Sequence, residues 1–114
     1  MARTIIFYEE YFIEFYKTLD NKVKEKVKYV LEMIKQVDRV SEKFLAPMTG
    51  SDGLFEIRVE YQSNIYRIFC CFDQGQLVVL FNGFQKKTQK TPKVEIERAM
   101  RLKTAYFQTK KERK

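Results

Sequence analysis

Histidine is absent from the 114 residues, and only four glycines, two prolines and two cysteines are present. Without imidazole the chain has no usual neutral-pH general base, no Ser-His or Cys-His nucleophile pair and no zinc site that uses histidine. Cys70 and Cys71 are adjacent inside an apolar stretch, so on a strand they point to opposite faces and build no disulfide framework. With no C-x-x-C spacing and no base partner they read as two buried structural thiols. Gly50, Gly53, Gly75 and Gly83 fit neither the dinucleotide fingerprint nor the Walker phosphate loop, which argues against a nucleotide cofactor. The longest apolar run, Leu77 to Phe81, is far short of the roughly 18 residues that span a bilayer. Nor do the residues before Glu9 and Glu10 carry the basic start and long apolar segment of a signal peptide. The expectation is a single cytoplasmic domain over residues 1–114, with no membrane contact, no metal and no small-molecule cofactor.

An apolar content of 45%, with 10 Phe and 7 Tyr, is ample for one packed core. Charge is unevenly spread. Residues 1–84 hold 11 Lys/Arg against 12 Asp/Glu, whereas residues 85–114 hold 11 against 3, so a net of −1 precedes a net of +8. A basic block at one end of a small domain fits a polyanion partner, nucleic acid above all, or else a solvated basic helix and tail.

Periodicity divides the chain. Arg3 to Phe7 has strand character, and Tyr8, Tyr11, Phe12, Phe15, Tyr16 and Leu19 then recur as one face of a helix. After Asp20-Asn21, the stripe Val23, Val27, Val30, Leu31, Ile34 and Val37 predicts a second helix and so a helical hairpin. Residues 44–53 read as loop. Strict alternation from Leu54 to Tyr61 predicts a strand, a Gln62-Ser63 turn leads into a second strand over 65–72, and Leu77 to Phe81 is a third, making a meander. Thr91-Pro92 reads as a helix start, with the helix running to about Phe107 and residues 108–114 forming a flexible basic tail.

A two-residue Gln62-Ser63 turn pairs residues whose numbers sum to 125, which sets Arg58 opposite Arg67. Like charges directly opposed on a sheet need something negative between them. Two sources remain open: Glu56 and Glu60, as diagonal neighbours, in a solvated salt-bridge ladder, or an external phosphate held by a clamp that Lys86, Lys87 and Lys90 complete from the end of the next strand.

The run Leu54-Phe55-Glu56-Ile57-Arg58-Val59, then Tyr66-Arg67-Ile68, then Asn82-Gly83-Phe84-Gln85-Lys86-Lys87-Thr88 and Lys90-Thr91-Pro92 resembles the RelE/HigB superfamily of toxins, and within it the phage-derived, HigB-like branch. The resemblance implies a small α+β fold of RelE type: an antiparallel β-sheet with an N-terminal helical hairpin packed on it and a C-terminal helix. It implies a type II toxin–antitoxin toxin that cleaves messenger RNA on the ribosome without metal and is restrained by a helix-turn-helix antitoxin. Arg58, Arg67 and Lys87 then take catalytic positions, with Lys86, Lys90 and Lys93 as RNA-binding residues. Thr49, Ser51 and Asp52 stand where RelE has lysines, and no tyrosine follows Lys87 in the turn, so the family's general acid and base do not carry over. Lys86 or Lys87 is the candidate for proton transfer. Two other functions compete on the same features, a ParE-like inhibitor of DNA gyrase in which the strand arginines are structural, and an RNA-binding module without chemistry.

Overall fold

The strictly alternating segment forms a strand, and its neighbours follow the expected order. The structure, a computed structural model, describes residues 2–112. Strand β1 (Thr4–Phe7) leads to helices α1 (Tyr11–Lys17) and α2 (Asn21–Gln36), then β2 (Leu45–Pro47), β3 (Phe55–Tyr61), β4 (Asn64–Asp73), β5 (Leu77–Lys86) and α3 (Lys93–Glu112). These three helices and one five-stranded sheet, with strand order β1-β5-β4-β3-β2, form a compact α+β fold of RelE-like character. The meander is antiparallel, while β1 adds to the β5 edge in parallel, Thr4 opposite Leu77, so the sheet is mixed. The segment read as loop over 44–53 contains β2, an edge strand in which Leu45 faces Ile57 and Pro47 faces Phe55. Three residues are too few to show a period, and a proline is tolerated at such an edge.

Strand alternation sends side chains to two separate cores. Under α1 and α2, Phe12, Val27, Val30 and Ile34 pack on Ile57, Val59, Ile68, Cys70, Val78 and Leu80. Under α3, Ala99 and Leu102 pack on Leu54, Phe69, Cys71, Val79, Phe81 and Phe84. Cys70 and Cys71 are both free and buried, one in each core. Burial pushes both thiols up, that of Cys71 to about 11, so neither is a ready thiolate.

Local caps set the helix limits. The Asp20 carboxylate accepts from the Val23 backbone N–H at 3.0 Å and starts α2. At the other end Arg3 donates to the carbonyl of Ile34 in the last turn (2.9 Å) and to those of Val37 (2.6 Å) and Asp38 (2.8 Å) just beyond it, setting a cation where the helix dipole favours one. Val37 lies outside the helix and is 40% exposed.

The aromatic stripe starting at Tyr8 does not lie on one helix face. Glu9 adopts φ 52°, so α1 begins only at Tyr11. Phe12, Phe15, Tyr16 and Leu19 face the hairpin core, but Tyr8 and Tyr11 pack against the α3 core, Tyr8 edge-on to Phe81 and Tyr106.

Helix α3 outruns the expected end near Phe107 and continues to Glu112. The cause is Asp73 at the end of β4, which accepts from Tyr106 Oη and from Lys110 Nζ, both at 2.7 Å. Residues 108–112 of the expected tail are therefore helical; 113 and 114 lie outside the described residues. No helix among the described residues is long and apolar enough to cross a membrane.

Candidate nucleic-acid interface

The turn between β3 and β4 contains Gln62 and Ser63 alone, both at positive φ (52° and 70°), the geometry whose twist suits a two-residue hairpin. It produces the expected register: Phe55 opposes Cys70, Arg58 opposes Arg67 and Tyr61 opposes Asn64. On β5, Phe84 stands opposite Arg67, so the row Arg58–Arg67–Phe84 crosses three strands on the α3 side of the sheet. Lys86, two residues beyond Phe84, shares this face by alternation.

Glu56 resolves the like-charge contact. Its Oε1 accepts from Arg58 Nε at 2.9 Å and lies 3.6 Å from Arg67 Nε. Of the two acids expected to neutralise the arginines, Glu56 alone makes contacts within ion-pair distance, and it does so at 5% exposure; Glu60 is exposed. The two guanidiniums are unlike. Arg58 is partly exposed, with Nη1 donating to the Glu42 carbonyl at 3.1 Å. Arg67 is buried at 8% exposure, with Nη1 donating to the Tyr66 carbonyl at 3.2 Å. Burial draws the Arg67 pKa down; the Glu56 charge works against that and the Arg58 charge adds to it. Among the described residues Glu56 Oε2 and Arg67 Nε have no hydrogen-bond partner, so this buried charge cluster is incompletely satisfied.

The lysines arrive from the same side. Lys86 closes β5 and is half-buried; Lys87 and Lys90 are exposed in the following bend, and Lys93 is exposed at the first position of α3. None has an ion-pair partner among the described residues. The bend is tied at both ends. Thr88 Oγ1 donates to the Lys90 carbonyl at 2.7 Å, and Asn82 Nδ2 on β5 donates to the carbonyl and the Oε1 of Glu95 on α3 at 3.2 and 3.1 Å. The Pro92 carbonyl accepts from Glu95 and Ile96, so the helix starts one residue later than Thr91-Pro92 implied.

The structure thus brings Arg58, Arg67 and Lys86 onto one face and leaves Lys87, Lys90 and Lys93 along the segment leaving it. Sequence reasoning named Glu56 as a counter-ion of the arginines but set it in a solvated ladder with Glu60, and so missed its burial; it did not see Asn82 and Asp73 as anchors of α3. The available signal for Asn82 was a lone amide within an apolar strand. Two larger surface depressions, about 440 Å3 along the C-terminal half of α3 and about 520 Å3 between β1 and α2, contain none of the expected site residues. Among the described residues no group of three His, Cys, Asp or Glu side chains is placed to hold a metal ion.

A family model described as phage-derived protein Gp49-like matches residues 14–104. The match takes in every arginine and lysine of the candidate interface and omits β1 and the end of α3. No curated protein matches the chain. The mixed sheet, the helical pair and the matched span agree, and the chain belongs to the Gp49-like family of phage-derived proteins, a RelE/HigB-like toxin family.

Proposed function

We propose that this protein is the toxin of a type II toxin–antitoxin module, of the HigB-like branch, and that it acts in the cytoplasm as a ribosome-dependent endoribonuclease on messenger RNA. The observation that carries the reading is the opposed pair Arg58–Arg67 beside an unpaired lysine segment, in a chain of a toxin family. Cationic forks and point charges around one sheet face are what a phosphodiester requires.

In this reading the substrate's 2′-oxygen attacks the adjacent phosphorus, the bond from phosphorus to the 5′-oxygen breaks, and the products are a 2′,3′-cyclic phosphate and a 5′-hydroxyl. One proton leaves the 2′-hydroxyl and one is delivered to the departing 5′-oxygen. Arg58, the exposed member of the pair, contacts the phosphate, while Arg67 adds positive charge from behind it. Charge held in place before the reaction stabilises the developing negative charge without reorganisation. Lys87 supplies the third cation and the proton transfer, with Lys86, Lys90 and Lys93 holding flanking phosphates. No metal enters the mechanism. The ribosome presents the messenger in line for attack. A helix-turn-helix antitoxin restrains the toxin.

The test is to map 5′ ends on a reporter messenger in a cell-free translation reaction, beside naked RNA. New 5′-hydroxyl ends within codons, dependent on translation, are expected; intact RNA in both samples overturns the reading. One observation favours a second reading. Glu56 already pairs with both arginines from within, as it would if they were structural in a ParE-like inhibitor of DNA gyrase. In that case RNA stays intact and gyrase supercoiling is lost.

A further inference from the structure

We propose that the protein has a second phosphate-binding pocket, at the β3 edge of the sheet, where Lys26, Lys43 and Arg58 surround a depression of about 290 Å3. The proposal rests on the RNA reading above and deepens it by assigning a second backbone phosphate to residues outside the basic C-terminal third.

The three cations come from three separate stretches: α2, the connection before β2, and β3. Lys26 lies in a lysine-dense stretch of α2, whereas no basic run marks Lys43 or Arg58, and residues 1–84 carry a net of −1 as a whole. Folding concentrates them: three cations stand against Glu60 in the pocket wall and Glu56 bonded to Arg58 behind it, which leaves the pocket at +1. Neither lysine has an ion-pair partner among the described residues, and each is held over an aromatic ring, Lys43 at 5.5 Å from the Phe44 centroid and Lys26 at 5.6 Å from that of Tyr29. Arg58, which contacts the scissile phosphate, forms the wall shared with that site and is fixed before any ligand arrives, since Glu56 takes its Nε and the Glu42 carbonyl its Nη1; the second phosphate falls to Lys26 and Lys43. Gln62 and Ser63, on the hairpin turn, add neutral donors at the rim. A concave site of this size with surplus positive charge and an immobilised fork suits a phosphate group.

The pocket's place extends the interface already described. Lys86 on β5 stands opposite Ile65, and Ile65 opposite Glu60 at the pocket wall, so two strand spacings of about 4.8 Å separate the lysine bend from the pocket. A single RNA strand crossing the sheet meets the lysine bend, then Arg58, then Lys43 and Lys26.

Inorganic pyrophosphate titrated into the isotope-labelled full-length protein, followed by amide NMR, tests the pocket without RNA. The amides of Lys43, Phe44, Gln62 and Ser63 are expected to shift and saturate in the parent and in the Lys17→Gln/Lys28→Gln control, which loses the same charge elsewhere. Affinity is expected to fall about tenfold in Lys26→Gln/Lys43→Gln. Unmoved pocket amides, or shifts that persist unchanged in that variant, overturn the pocket. With a single-stranded oligoribonucleotide, the slope of log affinity against log salt should fall by about 0.7 in the pocket variant relative to the control, for one phosphate lost. Equal slopes overturn its role in RNA binding. Pyrophosphate shifts in a protein that cleaves no messenger sink the nuclease reading and leave the pocket standing; cleavage with a silent pocket sinks the pocket alone.

Discussion

Under α1 and α2 the sheet buries Ile57, Val59, Ile68, Val78 and Leu80 against Phe12, Val27 and Ile34 with no charged or amide side chain among them, whereas under α3 it buries Glu56, Arg67, Asp73 and Asn82 beside Phe69 and Phe81. Both faces come from the same strands in alternation, broken at the bulge where Phe81 and Asn82 together oppose Phe69 and both turn toward α3. The hairpin face is maintained by apolar burial, about 1.5–3 kcal/mol for each large side chain. The α3 face accepts desolvated charge, and buried ion pairs contribute little net stability compared with apolar residues of the same volume. The lesson is that one face is apolar throughout while the buried charge is confined to the other, where it shares the core with Phe69 and Phe81.

The strongest way to break this contrast is to remove the shared counter-ion. Glu56→Ala leaves the buried Arg67 guanidinium facing the partly exposed Arg58 with no acid between them and should cost about 3–5 kcal/mol in urea denaturation. A loss below about 1 kcal/mol would mean that the cluster is solvated and the two faces are not so different. On the hairpin face a smaller effect comes from shape alone. A Cβ added at Gly83 meets Phe15 Cδ2 at 2.5 Å, so Gly83→Ala should destabilise by about 1–3 kcal/mol and shift α1. An unchanged thermal midpoint would show that Phe15 moves freely.

The smallest expected effects are those of pH on the α3 anchor. The hydrogen bond from Lys110 holds the Asp73 carboxyl below its ordinary 3.8; burial opposes it, and the hydrogen bond from Tyr106 adds a smaller lowering. A depressed carboxylate contributes stability that is present above its unfolded value and lost as pH falls through the folded one. Burial, and then the bond to Asp73, pushes Tyr106 up to about 12. Its contribution is complete below the ordinary 10 and disappears as pH climbs toward 12. Tyrosinate absorbance should therefore contain one late component that Tyr106→Phe removes; its survival in that variant would assign it to another tyrosine.

Much of the fold was legible because amphipathic period is a local property. The helical hairpin, the meander and even the Arg58–Arg67 register follow from spacing, since a two-residue turn admits one pairing. What escaped depends on contacts remote in sequence. Tyr8 and Tyr11 leave their stripe because Glu9 breaks the helix start, and β2 exists only through β3. Helix α3 continues past Phe107 because Asp73 reaches it across a gap of 37 residues to Lys110. At the interface the cationic residues were readable individually, but the depth difference between Arg58 and Arg67, and the convergence of Lys26 and Lys43 on Arg58, arise only when three elements meet.

The most direct measurement compares neighbours on opposite faces, Arg58→Ala and Val59→Ala, in the cell-free cleavage reaction, with rates expressed per folded molecule. The account predicts a loss of about 10²–10³-fold for Arg58→Ala, the scale of one preorganised charge in a transition state. It predicts an unchanged rate for Val59→Ala despite its lower stability. Equal rates for the two variants would contradict the division of labour between the faces and remove Arg58 from the mechanism.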